Sequence, residues 1–433
     1  MKRRHLLYLA FWFPPSRASG VYRAVATARA FIDSGWDVTV VTTSEEFLAN
    51  EIGSIDSSLM EILPEGLRIK RVPFSFDPDL REISRIRGNF PILWQKGQAA
   101  RTRFDRLRSF SGSVGPKISE TYSGWIASAV AAASGDATEY DHILATGNPF
   151  SAFEAARLIS SVTGAAYSID FRDPWTIDVF SGKRSAVTLG DEAAEAQIVA
   201  GADACFHVNQ EIASAYQVKY PEHARKHHVV LNGYDSDSVK IAPTTYQGGP
   251  VRFGMLGTIN DRWPLNPILE AWKDLHPNLP PDSALVLGGH LGYFAKSAAP
   301  LEDRLPRDLV GFEFIGPILK SDLAGFYASL DVVVVPVPGS RMVTSGKVYE
   351  AMASGLPFVV VQIPEGDARK VAQGHPLAFS ADPDPIAVSA AMGQAYEVRK
   401  GQTEEQIASA RSYASAYERQ ATIAKMAQVL GDC

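Results

Sequence analysis

The 433-residue chain predicts an α/β protein made of two successive parallel-sheet domains. Short apolar runs alternate with segments of helical spacing from the N-terminus to residue 236. Residues Asp237–Pro250 then form a linker rich in Pro, Thr, Ser and Gly, and the alternation restarts beyond it. A chain of this length exceeds what one hydrophobic core fills, so domains at 1–236 and 250–400 are the expectation. Both read as Rossmann-like, and the last helical stretch, 404–430, is expected to pack back on the first.

In order, Leu6–Phe11 is an apolar strand, and Gly20–Ser34 carries Val21, Ala24, Val25, Ala28, Phe31 and Ile32 at helical spacing before Gly35. Val38–Thr42 follows as a parallel strand by crossover logic. Further strands are expected at Leu67–Val72, His142–Ala145, Ala166–Asp170, Ala204–Val208 and Val229–Leu231. Helices are expected at Ile118–Ala133, Ser151–Thr163 and Asp191–Ala200. Beyond the linker come strands at Val251–Leu256, Ala284–Leu287, Phe312–Ile315, Val332–Val337 and Phe358–Ile363, with helices at Pro267–Leu275 and Asp322–Ser329.

Composition narrows the function class. Hydrophobic residues make up 46% and charged residues 21%, an ordinary globular balance, and a net charge of −6 argues against a nucleic-acid partner. The two cysteines, Cys205 and Cys433, fit no disulfide or zinc pattern, which suits a reducing cytoplasm. Lys2-Arg3-Arg4 ahead of Leu6–Phe13 imitates a signal peptide, but the apolar run is short and ends at Pro14-Pro15, so it reads as a buried first strand.

Ser345–Pro357 is the most informative segment. Lys347–Ala353 are helix formers, Gly355 stands where a helix stops, and Pro357 forbids continuation. A helix starting at Ser345-Gly346 offers free N–H groups and a positive dipole end, an arrangement suited to phosphate. Lys347 adds a cation, and Glu350 a carboxylate that can accept from sugar hydroxyls; a plain i,i+3 surface pair is the alternative.

This segment resembles the donor-binding signature of family-4 glycosyltransferases, retaining enzymes of the GT-B fold, in which two Rossmann-like domains face a central cleft. In the family two glutamates flank the nucleotide sugar and the second holds the ribose. Glu350 matches the second, and Met342 stands at the first. Ser345, Gly346 and Lys347 are closer to the variant found in bacterial members that build surface polysaccharides. Asn232-Gly233-Tyr234-Asp235 resembles the turn that ends the family's first domain, and the opening strand–helix–strand is similar as well.

The resemblance implies a role for each matching loop. Gly257 and Thr258 leave the first strand of the second domain toward Arg262, which falls at the position of a diphosphate-binding Arg; Trp263 stands where a Lys often follows. Lys347 is therefore assigned the second positive charge, on chemical grounds. Ile315 and Gly316 match the turn lining the base pocket, and Gly20 is expected at the donor side of the first strand–helix turn, with Gly147-Asn148-Pro149 bordering the same cleft. Asp170-Phe171-Arg172-Asp173-Pro174-Trp175 ends a strand where α/β sheets place ligands. Asp173 is expected to orient an acceptor hydroxyl as a catalytic residue, while Asp170, Arg172 and Trp175 belong to the acceptor side. An ion pair of Arg172 with Asp170 or Asp173 is the structural alternative.

Three Asp-x-Asp triplets, Asp77/Asp79, Asp235/Asp237 and Asp382/Asp384, lie in Pro/Ser loops without the preceding strand a metal-dependent transferase would show, so no metal is assigned. No cofactor is expected, because the nucleotide sugar is a substrate. Arg81–Lys117 interleaves basic and aromatic residues, as an anionic membrane surface would require, or as a solvated helix pair would. The expectation is a cytoplasmic glycosyltransferase, peripheral at the membrane, moving a sugar to a hydroxyl acceptor, lipid-linked where that surface is used. A nucleotide-sugar epimerase of the same fold and a noncatalytic nucleotide-sugar-binding protein are the alternatives.

Overall fold

The computed structural model describes residues 3–53, 55–74, 118, 120, 122–135, 139–239, 245–292 and 301–431. They divide into two compact units, Met1–Asp178 with Gly182–Leu231 and Ile423–Cys433, and Val179–Ser181 with Asn232–Thr422. The basic stretch Arg81–Lys117 and the triplet Asp77/Asp79 lie outside the described residues.

In the first unit β1 (His5–Ala10), β2 (Asp37–Thr43), β3 (Arg68–Val72), β4 (His142–Gly147), β5 (Ala166–Phe171), β6 (Cys205–His207) and β7 (His227–Val229) form a parallel sheet in the order β3-β2-β1-β4-β5-β6-β7. Every residue of β1 and β4 is buried, as expected for strands covered on both faces. The helix Val21–Asp33 buries Val21, Ala24, Val25, Ala28 and Phe31, the stripe its spacing foretold, and Gly35 turns the chain at φ 86°. The helix Leu189–Gly201 starts on a reciprocal capping box between Thr188 and Asp191.

The second unit repeats the plan. β8 (Arg252–Leu256), β9 (Ala284–Gly288), β10 (Phe312–Gly316), β11 (Val332–Pro336), β12 (Phe358–Val361) and β13 (Ala378–Ala381) are parallel in the order β10-β9-β8-β11-β12-β13. Val251, Phe253, Met255, Leu285, Val334 and Val359 form its core with Ile268 and Trp272 of the helix Leu265–Leu275. In each sheet the order reverses once, between β1 and β4 and between β8 and β11. Ligands of open α/β sheets bind beyond the strand C-termini at such reversals.

Three sequence expectations need correction. Val229–Leu231 is displaced: the strand is His227–Val229. The helix expected from Ile118 begins at Ile126, after a single 3₁₀ turn at Ser123–Trp125. The helix expected over 404–430 is two, Glu404–Ser415 and Arg419–Gly431. The chain opens between them because Tyr234 N–H donates to Tyr417 O at 3.1 Å and Arg419 N–H to Tyr234 O at 2.8 Å. That pairing requires Gly233, whose φ is 61° and where a Cβ would stand 2.5 Å from Tyr417 O.

Candidate functional site

The second unit gathers its predicted residues at the ends of β8, β9, β10 and β11. Gly257 follows β8 with φ 154°, Gly289 follows β9 with φ 136°, and Gly316 closes β10 with φ 73°. Gly257 N–H donates to Gly288 O at 3.1 Å, and Gly289 N–H to Gly316 O at 2.7 Å, so the three strand ends are laced together. A Cβ on Gly289 would meet Gly257 O at 1.7 Å. Only glycine permits this approach, and it leaves backbone without side chains at Gly289 and Gly316, with the Trp263 ring against Gly257. Thr258 and Ile315 are exposed beside it.

Past β11, the helix Gly346–Ser354 starts where expected. The Ser345 hydroxyl caps it by accepting from Lys347 N–H at 3.3 Å, and Gly355 ends it with φ 77°. Lys347 Nζ donates to both Glu350 oxygens at 2.8 Å, and Tyr327 O–H donates to Oε2 at 2.7 Å. The i,i+3 pair therefore forms, but not as an ordinary surface pair, since the side chains are only 29% and 11% exposed. Burial, and then the neighbouring Glu350 carboxylate, push the Tyr327 phenol well above its ordinary pKa, so it stays a donor. Met342, at the place of the family's first glutamate, is buried, and its N–H donates to Ser340 Oγ.

Sequence reading missed what holds this loop. Gln362, fully buried after β12, reaches the carbonyls of Pro338, Ser340 and Val343 at 3.2, 2.9 and 3.0 Å through Nε2, while Oε1 accepts from Ala368 N–H at 3.1 Å. Gly366 makes room for it, because a Cβ there would lie 2.1 Å from the Gln362 side chain. Arg262 is exposed; its N–H donates to Asn260 Oδ1 at 3.0 Å, and its guanidinium lies 3.9 Å from the Phe180 ring centroid. The Trp263 ring covers Gly257.

The first unit treats its predicted residues differently. Asp170 is wholly buried, a correction to its place on the acceptor side. Its carboxylate takes a bidentate pair from Arg23, Nε to Oδ2 at 2.9 Å and Nη2 to Oδ1 at 2.7 Å, plus Thr146 O–H at 3.1 Å. Arg23 also donates to Val230 O and Leu231 O, so Asp170 is a buried structural partner and is not paired with Arg172. Arg172 instead donates to Gly147 O at 3.0 Å and to Asn148 O. Its guanidinium fills the space a Cβ on Gly20 would need, 1.1 Å from Nη1, so Gly20 serves Arg172 and presents no open backbone. Asp173 is exposed; desolvation by nearby protein raises its pKa from the ordinary value, and Arg172 opposes the rise. Trp175 is buried and stacks on Phe150 at 5.2 Å and 10°.

Of the Asp-x-Asp triplets, Asp235 pairs with Lys320 at 2.5 Å and Arg419 at 2.9 Å, Asp382 with Arg369 at 2.5 Å, and Asp384 caps the helix Pro385–Lys400. A cleft of about 760 Å³ beside Lys273, His276, Arg307 and Val310 lies where β10 begins, away from these strand ends.

Residues 250–397 match the model of the family described as Glycosyl transferases group 1. No match is found among curated proteins. Among solved structures, the chain is similar to sucrose-phosphate synthase from Thermosynechococcus elongatus, with TM-score 0.66, 14% identity and 99% of each chain covered. It is similar to Anabaena HepE in complex with UDP-glucose, with TM-score 0.66, 16% identity and coverage of 99% of this chain and 100% of that one. It is also similar to a putative UDP-N-acetylglucosamine 2-epimerase from Listeria monocytogenes, with TM-score 0.57, 12% identity and coverage of 100% and 96%. The chain has the GT-B fold, and its second unit matches the group 1 glycosyl transferases over residues 250–397.

Proposed function

We propose that the protein is a retaining glycosyltransferase that moves a sugar from a nucleoside diphosphate to a hydroxyl acceptor in bacterial surface polysaccharide or glycolipid assembly. The observation that carries the reading is the meeting of a glycine rim and a helix start bearing Lys347 and Glu350 at one sheet reversal, inside the family-matched residues. The solved HepE complex holds UDP-glucose on the same fold, which supports a nucleotide-sugar donor here.

In this reading the rim of Gly257, Gly289 and Gly316 admits the nucleotide, with Thr258 and Ile315 beside it. Lys347 turns from Glu350 to the diphosphate, where it and the Ser345-Gly346 helix start stabilise the charge that grows as the glycosidic C–O bond breaks. Arg262 is the further cation on the donor side. Glu350, kept in place by Tyr327, accepts from the ribose hydroxyls. Asp173 orients the acceptor hydroxyl, with Arg172 beside it. Side chains and a helix end supply the positive charge, so turnover is expected to survive EDTA.

Likeness to the epimerase fold sustains a second reading, isomerisation of a free nucleotide sugar. The test is mass spectrometry of the protein with a panel of nucleotide sugars, with and without hydroxyl acceptors. Release of nucleoside diphosphate with a glycosylated acceptor is expected, and NMR of the product should show the donor's anomeric configuration. An isomerised nucleotide sugar and no released nucleotide would overturn the proposal in favour of epimerisation.

A further inference from the structure

Glu195, on the helix Leu189–Gly201, is fully buried, and five donor contacts converge on its carboxylate. Thr176 N–H reaches Oε2 at 3.1 Å and Tyr216 O–H reaches it at 2.7 Å. Thr176 O–H, Lys219 Nζ and Tyr220 O–H reach Oε1 at 2.6, 2.6 and 2.8 Å. Lys219 also donates to Thr176 Oγ1. Burial and then the carboxylate hold both phenols above their ordinary pKa, so they remain donors.

We infer that Glu195 is the positioning residue of the acceptor-side loop, fixing Asp173 through the Trp175–Thr176 backbone. The inference rests on the reading of the chain as a transferase.

The polar groups of two consecutive loop residues are tied down around this cluster. Trp175 N–H donates to Tyr216 O–H oxygen at 3.0 Å, and Tyr216 in turn donates to Glu195. Thr176 N–H ends on Glu195 itself. From the other side Ser185 O–H donates to Trp175 O at 3.0 Å and Ser185 N–H to Thr176 O at 3.0 Å. The Trp175 ring is fixed independently on Phe150. Between this anchored pair and Asp173 stands Pro174 alone, whose ring fixes its own φ and restricts Asp173 to extended conformations. Few torsions separate Glu195's grip from the Asp173 carboxylate.

A buried ionic cluster is a costly way to gain stability, since apolar residues of like volume commonly do as well. What it supplies here is a fixed geometry for a loop that has neither helix nor strand to hold it. Every partner of Glu195 donates, so a carboxylate suits the place and an amide does not: the Gln NH₂ would confront O–H and N–H groups.

The experiment compares Glu195→Gln with wild type for two rates on one donor, acceptor-dependent transfer and slow donor hydrolysis. The transfer-to-hydrolysis ratio is expected to fall about tenfold or more, with donor KM and hydrolysis unchanged. Tyr220→Phe, which deletes one donor and keeps the Lys219 charge, is expected to lower the ratio about threefold, and it carries the test if Glu195→Gln does not fold. In 5-fluorotryptophan-labelled protein, the Trp175 ¹⁹F resonance, assigned with Trp175→Phe, should shift or broaden in both variants. An unchanged ratio, or an equal loss of both rates, would overturn the inference. If wild type shows neither rate on any donor the transferase reading fails, and the ¹⁹F signal then reports separately whether Glu195 holds the loop.

Discussion

In the first unit the loops beyond β1 and β5 are filled by side chains, with the Arg172 guanidinium over Gly20 and Arg23 locked on Asp170. In the second, the chain leaves β8, β9 and β10 through Gly257, Gly289 and Gly316, and the rim is bare backbone at Gly289 and Gly316, with Trp263 against Gly257. The strand order up to the reversal is the same in both. On the proposed reading, one scaffold thus offers two kinds of ligand surface. Peptide groups can approach a flat, charged nucleotide without reading more than its common parts. Side chains on a braced loop can be matched to one acceptor. Each unit also buries a glutamate held by a lysine and tyrosine, Glu195 in the first and Glu350 in the second, and they differ in access: Glu350 keeps a partly open side chain, and Glu195 has none.

Acid should separate the units most. Burial lowers the pKa of His142 and His227 in the first unit, and of His375 in the second, from 6.5 to about 4, and it also lowers His5, His207 and His228 in the first. These groups are neutral when folded at a pH where the unfolded chain is protonated. Their stability is present above pH 6.5 and is lost as pH falls toward 4, about 3 kcal/mol for a shift of that size. Glu120 acts in the opposite sense: burial pushes its carboxyl up to about 7 despite bonds from Phe150 and Ser151 N–H, so its contribution is lost as pH rises. With several lowered histidines against His375 among the described residues of the second, the first unit should unfold first. Hydrogen exchange at pH 7, 5.5 and 4.5 would show protection falling earlier in β4–β7 than in β8–β13. Simultaneous loss would break the contrast.

The second test exchanges the roles of the units. Asp170→Ala leaves Arg23 buried without its carboxylate and should cost about 3–5 kcal/mol, lowering Tm while nucleotide binding by the second unit persists. Gly289→Ala should instead weaken nucleotide binding along with local stability, since its Cβ would collide with Gly257 O in a backbone region that side chains rarely adopt. Strain of about 1–3 kcal/mol is expected, with affinity by calorimetry for the nucleoside diphosphate of the active donor reduced at least about tenfold. Unchanged affinity in Gly289→Ala would mean that the rim is a tight turn and nothing more.

The difference between the units also explains what the sequence disclosed. Ser345–Pro357 is local: cap, cation, carboxylate and stop follow one another along the chain, so they can be read in order, whereas the glycine rim is assembled from three strand ends and only its members Gly257 and Gly316 are marked in the sequence by the resemblance. The side-chain contacts of the first unit are not local. Asp170 meets Arg23 across 147 positions, and a charged strand-end residue looks the same whether it faces solvent or a buried guanidinium. Gln362 likewise reads as the polar end of an apolar strand until its three carbonyl partners are seen. One hidden residue did leave a trace: Glu195 interrupts the buried stripe of Ala194, Ile198 and Val199, where a carboxylate requires partners. β13 and the helix Pro385–Lys400 were missed because their hydrophobic pattern is short or diluted by alanine.

Within the second unit, Lys347→Ala and Glu350→Gln should each lower kcat/KM at least about tenfold, roughly 1.4 kcal/mol of transition-state stabilisation. Wild-type kinetics in both, with the fold intact, would remove the donor site from this helix start.

The smallest expected effect is the sharpest measure of how the two buried glutamates differ. Tyr327 supplies one of the bonds on Glu350, while Lys347 spans both oxygens at 2.8 Å. Tyr327→Phe deletes a hydroxyl, keeps the ring in the core and leaves the Lys347 pair in place. In the unliganded protein the loss should be that of a single bond, about 0.5–1.5 kcal/mol. During turnover Lys347 is to leave Glu350 for the diphosphate, and Tyr327 is then the remaining group holding the carboxylate toward the ribose. The variant should therefore lower kcat/KM for the nucleotide sugar about threefold to tenfold, more than its small Tm shift would suggest. Affinity for an acceptor should not change. If Tyr327→Phe and wild type share kcat/KM while Tm drops, Lys347 never releases Glu350, the pair is structural in the second unit as Glu195 with Lys219 is in the first, and the diphosphate must be met by the helix start and Arg262.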